Sequence, residues 1–164
     1  MLGVLSIQPA HGFAVARELE RDAPVGQVWS IQRPLVYRAL NRLEDQALIQ
    51  PHATEPGEGG PQRTVYRIER RGRTALDRWL HTPVRHLRDV RTELLLKLVL
   101  GNRLGVDQRQ VVLDQRAHFE PHFAALDLPI SGPVDPVARW RHESSQGVAR
   151  FLDGLLSEME APTS

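Results

Sequence analysis

Four side chains between positions 33 and 41, Arg33, Tyr37, Arg38 and Asn41, carry one kind of chemistry. Each arginine is a planar fork of N–H donors that matches a phosphate, or the O6/N7 edge of guanine. An asparagine amide pairs with adenine or with backbone, and a tyrosine hydroxyl reaches a phosphate while its ring packs. Gln32, just upstream, is a further candidate for a base edge or a phosphate. Arg63 and Thr64 supply a second pair of donors later in the chain. Together they are groups that can read a duplex.

The element that must present them is a helix. Ser30 stands before it as a cap candidate, and Pro34 falls in the first turn, where a missing N–H costs nothing. Val36, Leu40, Leu43 and Ala47 recur at spacings of four, three and four, which makes one narrow apolar stripe. Arg33, Tyr37, Arg38 and Asn41 fall on the flank and back of that stripe. An amphipathic helix with arginines outside is also an ordinary solvated face, and Arg38, Arg42 and Asp45 can pair within it. What lies around the helix favours the first reading.

Two short helices precede it, over Leu2–Gln8 and about His11–Arg21. The second has Phe13, Val15, Ala16 and Leu19 to one side, and its opening N–H groups can hold a phosphate. Pro24 and Gly26 punctuate a loop between the second helix and the reading helix. After Ala47 the period shortens. LIQPHA and RTVYRIE read as two strands, separated by TEPGEGGPQ, which is too rich in Gly and Pro to hold regular structure. RRGRTALDRWL then resumes a helical pattern. Helix, helix, helix, hairpin, helix is the winged helix-turn-helix order. The hairpin tip, with Arg63 and Thr64 at its return, would lie along the adjacent backbone as a wing.

Thr82-Pro83-Val84 is the expected boundary, giving a DNA-binding domain over 1–82 and an α-helical dimerisation and effector region over 83–164. The fold class is mainly α with a small β-hairpin. In the second region Leu87, Val90, Leu94, Leu95 and Leu98 form one stripe ending near Gly101. A helix over about 107–126 is interrupted by Pro121, which predicts a kink or break. DLPISGPVD reads as a connection. Asp135 and Pro136 open a last helix carrying Val137, Trp140, Ser144, Val148, Phe151, Leu152, Leu155 and Met159. So much apolar surface predicts a two-fold dimer built on the first and last of these helices, with the two reading helices roughly 34 Å apart.

Composition excludes several classes. The chain has 164 residues, no cysteine, 41% hydrophobic and 25% charged residues. A disulfide scaffold, a thiol nucleophile and a Cys-ligated metal are therefore out. Apolar runs reach only about four residues, so no membrane span is expected, and the N-terminus lacks a secretory pattern. A cytoplasmic protein is the simplest reading. Net charge is +1, which does not by itself announce a nucleic-acid binder, yet 20 of the 21 cations are arginine. A GC-rich genome explains part of that bias. His118 and His122 have ligand spacing, and His81 and His86 flank Pro83, but no third ligand is evident, so no metal and no cofactor are expected. No nucleophile elbow, phosphate loop or paired-carboxylate motif occurs, which argues against an enzyme.

LGVLSIQPAHGFAVARELE, WSIQRPLVYRALNRLEDQALI and RTVYRIERRGRTALDRWL resemble the PadR family of transcriptional regulators. The Pro-x-His-Gly-aromatic turn and the Pro-Leu-Val-Tyr-x-Ala-Leu-x-x-Leu reading helix carry the likeness through residues 2–80. RTELLLKLVL resembles the start of the family's C-terminal region. The resemblance implies a homodimeric winged-helix repressor on a pseudo-palindromic operator. It also implies release by a small aromatic or lipophilic effector, for which Phe119, Phe123 and Trp140 are the lining candidates. Tyr37, Arg38, Arg63 and Thr64 match the family's reading-helix and wing positions. One departure is Ala47, where the family commonly has glycine, which argues against a left-handed helix end there. The alternative is a winged-helix module for protein–protein contact without DNA binding, which the near-zero net charge leaves open.

Overall fold

The computed structural model describes residues 1–57, 60–126 and 135–161. Eight helices and three strands follow in order among them: α1 Leu2–Ile7, β1 Ala10–His11, α2 Gly12–Glu18, α3 Pro24–Val28, α4 Arg33–Asp45, β2 Ile49–Gly57, β3 Gly60–Ile68, α5 Arg70–His81, α6 Leu95–Leu104, α7 Gln108–Leu126 and α8 Pro136–Glu160. The winged helix-turn-helix and the mainly α class are both present. A 3-10 turn, Leu87–Asp89, and a π turn, Val90–Leu94, precede α6. No helix among the described residues is long and apolar enough to cross a membrane.

The chain forms two compact units, Met1–Thr82 with Leu95–Val106, and Pro83–Leu94 with Asp107–Ser164. Thus the chain leaves the first unit at Thr82 and returns to it for α6. The single helix expected over residues 87–98 is divided between the units. Leu96 and Leu100 join Val4, Leu5, Val36, Leu40, Leu76 and Leu80 in the core of the first unit. That half of the expected stripe is therefore spent inside one chain.

The sheet has the order β1-β3-β2, antiparallel throughout. The two-residue β1 was not visible as a strand in the sequence, because its pairs, Ala10 with Tyr66 and His11 with Val65, are wholly non-local. The hairpin is longer than expected. Register continues through Thr54–Thr64 and Glu55–Arg63 to Gly57–Gly60, so TEPGEGGPQ is mostly strand. Two irregularities, between Pro51 and Ala53 and between Glu55 and Gly57, absorb the prolines. β2 is an edge strand, where a residue without an N–H is tolerated.

Two other expectations are corrected. Pro24 and Gly26 lie not in a loop but in α3, with proline in its first turn. α4 is capped at Gln32 rather than Ser30, and no side chain makes the cap bond. Pro34 sets the first turn, so the helix starts one residue before it. Its far end is also unexpected. Ala47 has φ 53°, the Leu48 N–H donates to the Leu43 carbonyl at 2.9 Å, and the Ala47 N–H donates to Glu44 at 2.8 Å. That is a Schellman end with alanine in the left-handed position usually taken by glycine.

Lys97, the one lysine, is 2% exposed in α6. Its ammonium donates to the Thr82 carbonyl and lies 5.1 Å from the Trp79 ring centroid, which ties α6 to the end of α5. In the second unit α7 runs unbroken through Pro121. Gln115, fully buried, accepts from the Val84 N–H at 2.7 Å and donates to its carbonyl at 3.1 Å. Arg116 bridges Glu120 and Asp153, and these carboxylates raise its pKa. Asp135 caps α8 as expected, accepting from the Val137 N–H at 2.9 Å. The DLPISGPVD connection falls outside the described residues, except for Asp135.

Candidate nucleic-acid interface

The surface is built on α4. Val36 and Leu40 are essentially inaccessible, 0% and 1% exposed, and anchor its inner side. Burial of each contributes roughly 1.5–3 kcal/mol. With those two fixed, the helical period turns Gln32, Arg33, Tyr37, Arg38 and Asn41 outward, and all five are exposed. Thr64 is exposed and Arg63 half-buried on β3. The seven candidates therefore all belong to the first unit, five at α4 and two on the wing.

Arg33 and Arg63 are brought together. The Arg33 guanidinium carbon lies 4.6 Å from the Phe13 ring centroid, and that of Arg63 lies 5.1 Å from the same centroid. Arg33 is also 3.5 Å from the Glu20 carboxylate. Phe13 sits on α2, where the sequence pattern gave it only a place on the apolar side. Its distinguishing signal was the aromatic position of the Pro-x-His-Gly-aromatic turn.

Tyr37 has a seat of its own. A Cβ on Gly12 would stand 2.5 Å from Tyr37 Cε1 and 3.0 Å from Cδ1, so only a bare α-carbon lets the ring lie where it does. The ring is nonetheless 45% exposed, with one side on the backbone of α2 and the other open. The α2 N–H groups are less available to a phosphate than the sequence suggested. The Ala14 N–H already donates to His11 Nδ1 at 3.0 Å, and the helix has seven residues.

The wing is fixed at its base to the far end of α4. Burial and the adjacent, hydrogen-bonded Glu44 carboxylate together raise the Tyr66 phenol pKa. Glu44 is on α4 and Tyr66 on β3, so the angle between reading helix and wing has a polar tie as well as an apolar one. Behind α4 lies an apolar cavity of about 460 Å³, lined by Trp29, Leu43, Trp79 and Leu100 among others. Trp29 is 57% exposed.

The effector candidates are not gathered around a shared opening. Phe119 is 0% exposed and packs edge-on against Phe123 at 6.1 Å, whereas Trp140 is 73% exposed. The aromatic pair is core, because the two phenylalanines are a helical turn apart on the buried side of α7. His118 and His122 flank Phe119 as ring contacts. No group of three or more metal-ligating side chains occurs among the described residues.

Residues 1–78 match the model of the transcriptional regulator PadR-like family. A Mycobacterium tuberculosis protein named "Probable transcriptional regulator Rv1176c" is 30% identical over 77 residues, 47% of this chain and 39% of that protein. The chain thus matches about two-fifths of that relative's length. A crystal structure of Bacillus subtilis PadR in complex with operator DNA aligns over 94% of both chains, with 19% identity and a TM-score of 0.46. The match covers the segment whose motifs run through α1, the α2 turn, α4 and the wing, so this N-terminal region is similar to the transcriptional regulator PadR-like family.

Proposed function

We propose that this chain is a transcription repressor that binds a pseudo-palindromic operator as a homodimer, and is not an enzyme. The observation that carries the reading is the outward row Gln32, Arg33, Tyr37, Arg38 and Asn41 on α4, joined to the wing where Arg33 and Arg63 share one ring. Arg38 and Asn41 are the base-edge readers, and Tyr37, Arg63 and Thr64 hold phosphates. A cytoplasmic location goes with that role.

The dimer is supported by α8. At 100° per residue, Ser145, Ala149, Leu152 and Leu156 share one side, where Ser145 and Leu152 are buried. About a quarter turn away runs a second stripe: Val137, Trp140, Ser144, Val148, Phe151, Leu155 and Met159. Val137, Trp140 and Met159 of this stripe are exposed, and its middle is only half-buried. A second copy of α8 would cover it. Release by a small apolar molecule is better supported by the cavity behind α4, which reaches the inner side of the reading helix, than by Phe119, Phe123 and Trp140.

The test is affinity for duplex fragments recovered from the chain's own genome, measured against salt. A steep negative slope of log K on log salt is expected from phosphate neutralisation. A flat slope, or no retained fragment, would favour the protein-contact module instead. Sedimentation equilibrium is expected to give twice the 18.5 kDa of one chain, and the single-chain mass would remove the dimer. Reporter transcription falling with added protein is the result expected of a repressor.

A further inference from the structure

We infer that Phe13 is a positioning residue for duplex binding, a shared platform that holds Arg33 of α4 and Arg63 of the wing in place before DNA arrives. The inference rests on the DNA-binding reading above and adds to it a residue that makes no DNA contact itself. Both guanidinium groups lie within 6 Å of the ring centroid, at 4.6 and 5.1 Å, which is cation–π range. They come from different elements, one from the start of the reading helix and one from the return strand of the wing.

The geometry suits a duplex-binding surface for three reasons. A guanidinium held by its face against a ring keeps its N–H donors in its own plane, so the edge remains free for a phosphate or a guanine. Arginine otherwise gives up much rotamer freedom on binding, and a ring that already restricts two of them removes part of that cost. Two like charges gathered at one place also repel, and the ring's negative face offsets this. Glu20, 3.5 Å from Arg33, adds a carboxylate that holds Arg33 on the same side. The ring itself is half-buried on α2, so its place is set by packing and not by the arginines.

The sign of the effect is not automatic. If DNA pulled the arginines off the ring, deleting it would free them and tighten binding. If they stay on the ring and use their edges, deleting it weakens binding. The second outcome follows from the face-and-edge argument. Each contact at a partly exposed site is worth a factor of roughly 2–5.

The experiment uses the full chain and a duplex selected by it from a random-sequence library, with binding followed by fluorescence anisotropy. Phe13→Leu keeps an apolar group and removes the ring face, whereas Phe13→Tyr keeps the face. Phe13→Leu is expected to weaken binding about 3- to 10-fold, with an unchanged melting temperature and an unchanged salt slope, because every charge remains. Phe13→Tyr is expected to bind as the parent does. In an Arg33→Ala, Arg63→Ala background, Phe13→Leu is expected to have no further effect. Unchanged or tighter binding by Phe13→Leu overturns the inference, as does an equal loss in the doubly substituted background, which would mean that Phe13 acts by packing α2. Failure of the parent chain to bind any duplex is a separate result, and overturns the DNA-binding reading itself.

Discussion

Replacing Gly12 with alanine separates folding from binding. The backbone at Gly12 is not left-handed, so alanine is allowed there on conformation alone. The obstacle is the Tyr37 ring. The new methyl group would stand 2.5 Å from Cε1, against about 3.5–4 Å for a comfortable carbon–carbon contact, so the ring must retreat by about 1 Å or more. Because Tyr37 is 45% exposed, it can swing toward solvent without opening the core. Alanine also reduces the freedom of the unfolded chain, which contributes about 0.4–1 kcal/mol in favour of folding. The two effects nearly offset, and stability should move by less than about 1 kcal/mol, or about 2–4 °C in melting temperature for a chain of this size.

Binding has no such compensation. A hydroxyl bonded to a charged phosphate contributes roughly 1.5–3 kcal/mol, and a displaced ring loses most of it. Gly12→Ala should therefore weaken duplex binding by roughly tenfold or more. Tyr37→Phe, which removes the hydroxyl and leaves the seat intact, should lose a similar amount. The two together should lose little more than either alone, since both remove one contact. Anisotropy titrations at fixed salt, paired with thermal unfolding of the same samples, measure both quantities. A folded Gly12→Ala variant with parental affinity refutes the seat, and fully additive losses refute the claim that it acts through Tyr37.

Three further outcomes are expected. Arg38→Ala should weaken binding by roughly 1–3 kcal/mol if Arg38 reads a base, or flatten the salt slope by about one unit if it holds a phosphate; titration at several salt concentrations that finds neither removes Arg38 from the interface. Ala47→Gly should raise stability by about 0.5–1 kcal/mol and leave DNA affinity alone, because the left-handed position costs an L residue about 1–2 kcal/mol and glycine returns part of that in unfolded-state entropy; calorimetry showing a lower melting temperature contradicts the Schellman assignment. Phe151→Glu places a charge on the half-covered stripe of α8 and should shift sedimentation toward the single-chain mass, and a variant that stays dimeric and binds DNA normally takes Phe151 out of the subunit contact.

What could be read in the residues was set by period. The stripe Val36, Leu40, Leu43 needs only its own spacing to declare a helix and its outer face, and α4 obeys it. The same holds for Asp135 and Pro136, whose cap chemistry is local and is found as expected. Elements whose cause is distant were missed. α3 spans five residues, too few for a period to show, and its Pro and Gly imitate a turn. The strand pairs Thr54–Thr64 and Glu55–Arg63 run through a segment that composition alone assigns to loop, because ladder bonds and edge position outweigh poor propensity. Ala47 takes a left-handed φ because two carbonyls at the end of α4 need donors, a demand invisible in the residue's own identity. The contacts among Phe13, Arg33 and Arg63 join residues up to fifty positions apart, and no spacing rule links them.

Those distant contacts converge on three consecutive residues. His11 accepts the Ala14 N–H and so starts α2, while its backbone pairs with Val65 on the wing strand. Gly12 gives the Tyr37 ring its seat, and Phe13 holds Arg33 and Arg63. A capping imidazole, a bare α-carbon and an aromatic face are three different physical requirements. Their order along the chain is fixed, because the cap must precede the helix, the closest approach to α4 comes at the first turn, and the ring must reach beyond it to the wing. A change at any of the three should therefore act on binding through a different partner: His11 through the start of α2, Gly12 through Tyr37, and Phe13 through the arginines. The Pro-x-His-Gly-aromatic turn is thus where α4, the wing and α2 are set relative to one another, although none of its side chains is among the groups proposed to read the duplex.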